Sequence, residues 1–74
     1  MDFEVNQEYG ELLIEKFAIE NDYSMQTVYA NEFNRTYVGE TFIVLRHPEK
    51  DFVISFVLTG GNNNQYIYKC IYKD

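Results

Sequence analysis

From Thr36 onward, β-branched and aromatic residues come in three runs separated by two turn sequences, and this punctuation restricts the fold more than any other feature. The runs cover about 36–46, 52–59 and 65–73. His47-Pro48-Glu49-Lys50-Asp51 divides the first two, with Pro48 unable to donate to a strand ladder. Gly60-Gly61-Asn62-Asn63-Asn64 divides the second pair, with residues that tolerate positive φ. Those two glycines also fit an anion-binding nest, but no Walker lysine or helix start follows, so a hairpin turn is favoured. The expectation is a three-stranded antiparallel meander.

The first third has a different period. Tyr9, Leu12, Leu13 and Phe17 recur at helical spacing, and Ile14, Ala18 and Ile19 widen the apolar face. Asn6 suits an N-cap, Glu8 and Glu11 suit the first turns, and Asn21-Asp22 suits the end. A helix is therefore expected over about 7–20. Residues 24–33 carry two patterns. Met25, Val28, Tyr29 and Phe33 share a helical face behind Ser24, whereas Thr27, Tyr29, Asn31 and Phe33 alternate as a strand would. A second short helix over 24–33 is the expectation. The chain then reads as one α+β domain over 1–74, with one or two N-terminal helices packed on the meander. Leu13, Phe17, Phe42, Val44, Ile54, Phe56 and Ile67 are its expected core.

At 74 residues such a domain buries only about 60% of its unfolded surface. Cys70 is the only cysteine, so disulfides cannot compensate, and seven tyrosines with six phenylalanines are the available bulk. Homo-oligomerisation is a second route. The single thiol and the acidic start Met1-Asp2-Phe3-Glu4 fit a cytoplasmic setting, and no apolar run approaches the roughly 20 residues of a membrane span.

Catalytic chemistry finds little to work with. One His and one Cys do not make a zinc site, and Glu49-Lys50-Asp51 lacks the rhythm of a calcium loop. Cys70 stands mid-strand among tyrosines with no neighbouring base, and Ser24 and Ser55 lack an elbow context. No enzymatic activity, metal or cofactor is expected.

Charge is the informative feature. The net charge of −6 falls entirely within residues 1–22, where Asp2, Glu4, Glu8, Glu11, Glu15, Glu20 and Asp22 face only Lys16. Residues 23–74 hold five acids and five bases. On a continuous helix Glu4, Glu8, Glu11, Glu15 and Asp22 would fall within a sector of about 60°. A helix face serving solubility alone would interleave signs. These five residues are the first candidate partner-binding face, suited to a basic protein surface such as that of a nucleic-acid-processing enzyme. Direct nucleic-acid binding and an anionic membrane are both disfavoured by the sign of the charge. Tyr66, Tyr68 and Tyr72, on one expected strand face, are the alternative, for adaptor binding or self-association.

In size, acidity and absence of catalytic motifs the chain resembles the small acidic proteins of phages and mobile elements that block host nucleic-acid enzymes, anti-restriction and anti-CRISPR inhibitors among them. That resemblance implies a class of partner and transfers no residue roles. An antitoxin or immunity protein would suit the same acidic chemistry.

Overall fold

The computed structural model describes residues 3–29, 40–62 and 64–74. Its elements are β1 (Glu8–Gly10), α1 (Glu11–Glu20), β2 (Ser24–Tyr29), β3 (Thr41–Arg46), β4 (Val53–Gly61) and β5 (Tyr66–Lys73). The fold is α+β, but among the described residues the sheet has five strands in the order β1-β5-β4-β3-β2, all neighbours antiparallel, rather than three. The expected meander forms its β3-β4-β5 centre. Two edge strands come from segments expected to be helical.

The first lies where the helix was expected to begin. Asn6 is not an N-cap; it turns the chain at φ 75°, and Gln7 N–H closes the turn onto the Glu4 carbonyl. The chain then binds β5. Asn6 N–H donates to the Cys70 carbonyl at 2.7 Å, and Cys70 N–H donates to the Gln7 carbonyl at 2.9 Å. Glu8–Gly10 continue this pairing opposite Lys69–Ile67. Helix α1 therefore starts at Glu11, behind an extended Gly10 that offers no side-chain cap. Its end falls where expected. Asn21 caps the Phe17 carbonyl, Asp22 takes the left-handed conformation at φ 63°, and Tyr23 N–H returns to the Ala18 carbonyl in a Schellman-type closure.

The second correction is β2. Ser24–Tyr29 pairs with β3 from Ser24 opposite Arg46 to Tyr29 opposite Thr41, so this part of the 24–33 segment is a strand and not a helix. Residues 30–33, like 36–39 of the expected first meander strand, lie outside the described residues.

One sheet face carries the core. Ile43, Leu45, Ile54, Phe56, Leu58, Tyr68 and Cys70 are buried beneath Ile14 and Ala18 of the helix, together with Phe3. Phe3 is the keystone of the aromatic packing, with its ring edge-on to Tyr9 at 4.8 Å, Phe17 at 4.7 Å and Phe56 at 5.0 Å. Each such pair contributes about 0.5–1.5 kcal/mol beyond area burial. The expected core is thus correct at Ile54 and Phe56. Leu13 and Phe17 are only partly buried on the helix, and Phe42, Val44 and Ile67 lie half-buried on the other sheet face. The β3 sequence Thr41–Arg46 is apolar at both alternating sets, so periodicity could not choose between them.

Candidate binding site

Helix α1 crosses the sheet diagonally. It leaves β1 beside Ile67 of β5 and ends at the opposite corner, where Ser24 pairs with Arg46. It touches β1, β5 and β2 on the way. A diagonal cannot cover all four corners of a face. At the end where the helix starts, the helix does not reach the corner carrying Thr27 and Tyr29, and both residues are exposed although they share the face of the core.

A cavity of about 260 Å³ occupies this corner. Among the described residues it is lined by Thr27 and Tyr29 of β2, Thr41 of β3, Leu58 of β4, Tyr66 and Tyr68 of β5 and Glu11 of the helix. The hairpin joining β4 to β5 positions Tyr66. Asn62 accepts the N–H groups of Asn64 and Gln65 on its side-chain oxygen, and its own N–H donates to the Gln65 carbonyl at 3.0 Å. This is a hairpin turn, not an anion nest. A bulge at Thr59 keeps Leu58 opposite Tyr68 while Gly60 meets Ile67.

Among the described residues Glu11 supplies the only formal charge in the lining. Tyr68 is almost wholly buried, and burial, reinforced by the negative charge of Glu11 and then by Tyr29 and Tyr66, pushes its hydroxyl up to about 12 from 10.0. The phenol is therefore a neutral donor at physiological pH. The stability consequence has a definite sign. Below pH 10 Tyr68 is protonated in both folded and unfolded chains and has no effect, whereas between pH 10 and about 12 only the unfolded chain loses the proton. Stability should fall through that interval, and Tyr68→Phe should remove this part of the loss. Thermal melts of both proteins from pH 8 to 11.5 check it; parallel alkaline declines would contradict the assignment.

The structure divides the expected acidic stripe. Glu11 and Glu15 remain together on α1, with Glu15 exposed. Glu8 belongs to the edge strand, where its Oε2 accepts the Thr59 hydroxyl at 2.8 Å. Glu4 is exposed in the preceding turn, its backbone N–H donating to the Tyr9 hydroxyl. Asp22 serves the helix stop. The expected tyrosine face also divides. Tyr66 and Tyr68 border the cavity, but a bulge at Ile71 places Tyr72 opposite Ser55 on the other face, half-exposed. One residue of the acidic set and two of the tyrosine set thus meet in one place. Thr27, Thr41 and Leu58 were missed, although alternation through Thr27 and Tyr29 was the available signal.

A broader groove of about 750 Å³ lies at the other end, between the α1–β2 turn and the β3–β4 loop. Its histidine is engaged internally: the His47 ring stands edge-on to Tyr23 at 5.1 Å, and its Nδ1 accepts Glu49 N–H. The charges there are mixed, with Asp22 and Glu49 against Lys50. Cys70 is fully buried. Among the described residues, no three His, Cys, Asp or Glu side chains gather as metal ligands would, and no helix is long and apolar enough to cross a membrane.

No protein-family model, no curated protein and no solved structure matches the chain.

Proposed function

We propose that this protein is a non-catalytic binding protein that docks the outer side of its helix layer on a basic protein surface. A nucleic-acid-processing enzyme is the partner whose chemistry fits, and covering its groove would inhibit it. The observation that carries the proposal is the composition of the outer helix face. Glu15, Lys16 and Glu20 stand there in solvent, and Leu12 and Ile19 remain 60% and 71% exposed among them. Solvation alone explains the carboxylates but not two large aliphatic side chains at i and i+7 among them. Apolar anchors within a charged surround are the anatomy of a docking surface.

The test is the triple substitution of Glu11, Glu15 and Glu20 by Gln. Helix propensity is nearly unchanged, and relief of the Glu11–Glu15 repulsion offsets the lost dipole interaction at the first turn. Folding should survive. In affinity capture from the source cells, a retained basic partner should bind the variant at least about tenfold more weakly, and salt should weaken the wild-type complex steeply. Unchanged capture at every salt concentration would remove the proposal.

Self-association is the second reading. It is favoured by the sheet face opposite the helix, where Val28, Phe42, Val44, Val57, Ile67 and Tyr72 are half-buried or exposed. In that case Tyr72→Ser would lower the oligomeric state and the triple Gln change would not.

A further inference from the structure

The helix and the sheet carry opposite charges on similar apolar ground. Helix α1 holds Glu11, Glu15 and Glu20 against Lys16, whereas strands β2–β5 hold Arg46, Lys69 and Lys73 and no acid. Alternation from the buried Leu45 and Cys70 puts Arg46 and Lys69 on the sheet face turned away from the helix. Glu8 stands opposite Lys69 at the β1 edge of that face. Toward the β3–β4 loop, at the far end from Tyr29 and Thr41, the same face carries Val44 and Arg46 of β3, Val53 and Ser55 of β4 and Tyr72 of β5. Arg46 is exposed, and Tyr72 is 51% exposed. A sheet face turned to water usually alternates toward polar side chains, yet this end of the face sets two valines and a tyrosine beside a base.

We propose that the protein self-associates head to tail, the outer face of α1 in one copy packing on the sheet face opposite the helix in the next. Leu12 and Ile19 then meet Val44, Val53 and the Tyr72 ring, and Glu15 and Glu20 meet Arg46. The contact repeats what the fold does within one copy, where the helix covers the face of Ile43, Leu45 and Phe56. Because the two faces lie on opposite sides of the molecule, each contact leaves one helix face and one sheet face unused, and copies stack without closing as a dimer. One side of a ten-residue helix, about 15 Å long, falls short of a standard interface of roughly 800 Å² per partner, so association is weak and rises with concentration. The net charge of −6 on each copy opposes it. That repulsion acts at long range and is largely screened at about 0.15 M salt, whereas charges in contact are screened less.

Analytical ultracentrifugation of the full chain at physiological salt tests the proposal, with a helix-face variant, Leu12→Glu with Ile19→Glu, and a sheet-face variant, Tyr72→Glu. All the substituted side chains are exposed, so the core stays intact, and amide spectra verify this directly. If Tyr72→Glu disturbs the spectrum, the milder Tyr72→Ser takes its place. The parent should gain mass from micromolar to millimolar concentration without stopping at a dimer. Each variant alone should self-associate at least about tenfold more weakly. An equal mixture of the two variants should form one-to-one pairs and nothing larger, because the intact sheet face of the first receives the intact helix of the second. Arg46→Gln, which removes the charge, should weaken association of the parent about threefold.

A parent chain still monomeric at millimolar concentration would overturn the proposal, and so would association that neither variant weakens. Association blocked only by Tyr72→Glu would mark sheet faces paired with each other, and association blocked only by the helix-face variant would mark paired helices; either result overturns the head-to-tail contact. Failure of the two variants to pair when mixed does the same, since that contact needs one intact face from each. Unchanged affinity in Arg46→Gln would remove the charge pairing that selects a second copy. Docking on a basic partner is decided separately, by capture of that partner below the concentration at which the chain assembles. Assembly without capture sinks the docking function alone, and capture without assembly sinks the head-to-tail contact alone.

Discussion

Replacing Phe56 with Ala is expected to remove about 3–5 kcal/mol of stability, the usual cost of deleting a wholly buried aromatic ring. Phe56 is 0% exposed and lies on β4, the central strand, opposite Ile43 on one side and Cys70 on the other. Its ring receives Phe3 at 5.0 Å and Tyr9 at 6.5 Å, both from the N-terminal segment that holds down the far edge of the sheet. Losing the ring therefore leaves a void where three parts of the chain meet, and a small domain has little else to relax into it. At roughly 0.05–0.15 kcal/mol per residue, the loss would consume a large share of the total stability. The melting temperature should fall by roughly 15–30 °C. Phe42→Ala serves as the control, since Phe42 stands half-buried on the opposite face and should cost much less. Equal losses, or a Phe56→Ala melt within about two degrees of the parent, would show that β3 and β4 face the other way.

Gly61→Ala is expected to cost roughly 2–3 kcal/mol, while Gly60→Ala, one residue earlier, should be neutral or slightly stabilising. Gly61 has φ 148°, and a Cβ there would stand 2.8 Å from both the Gln65 carbonyl oxygen and the Tyr66 Cα. Those are backbone atoms of the paired strand and cannot yield without opening the hairpin. A Cβ at Gly60 meets nothing within 4 Å. The same substitution at Gly61 would also press on the Tyr66 ring, whose Cδ1 is 3.3 Å away. Urea denaturation of the two variants settles the comparison. Similar midpoints would mean that the β4–β5 connection is not the tight turn described.

Much of the chain was legible because its signals are local. Pro48 and the surrounding polar residues stop β3 before β4, and His47 N–H closes that loop onto the Phe52 carbonyl. Asn62 turns β4 into β5 through its own side chain. Asn21 and Asp22 end α1 through a side-chain bond and a left-handed residue that aspartate tolerates. The confinement of the net charge to residues 1–22 is a property of the sequence alone, and folding divides the described acids among the turn before β1, β1, α1 and the helix stop.

Other features were decided at a distance. Tyr9 fits a helical stripe as well as it fits a strand, and only the hydrogen bonds that Cys70 exchanges with Asn6 and Gln7 make the segment an edge of the sheet. Ser24–Tyr29 carries both periodicities, and the open edge of β3 selects the strand because its N–H and C=O groups need partners. Phe42 and Val44 compete with Ile43 and Leu45 for the core, and the winner is whichever set lies beneath Ile14 and Ala18. Tyr72 leaves the face of Tyr66 and Tyr68 because one bulged residue, Ile71, reverses the alternation that pattern reading assumes. The cavity belongs to this second class. Glu11, Tyr29 and Tyr68 are far apart in the chain and come together only because a ten-residue helix crosses a five-stranded sheet diagonally. Hydrophobic period and turn chemistry act between near neighbours, so the sequence by itself determined the turns, the helix stop and the place of the charge. Pairing edge, buried face and cavity depend on what each element meets across the fold, and only the tertiary structure decided them.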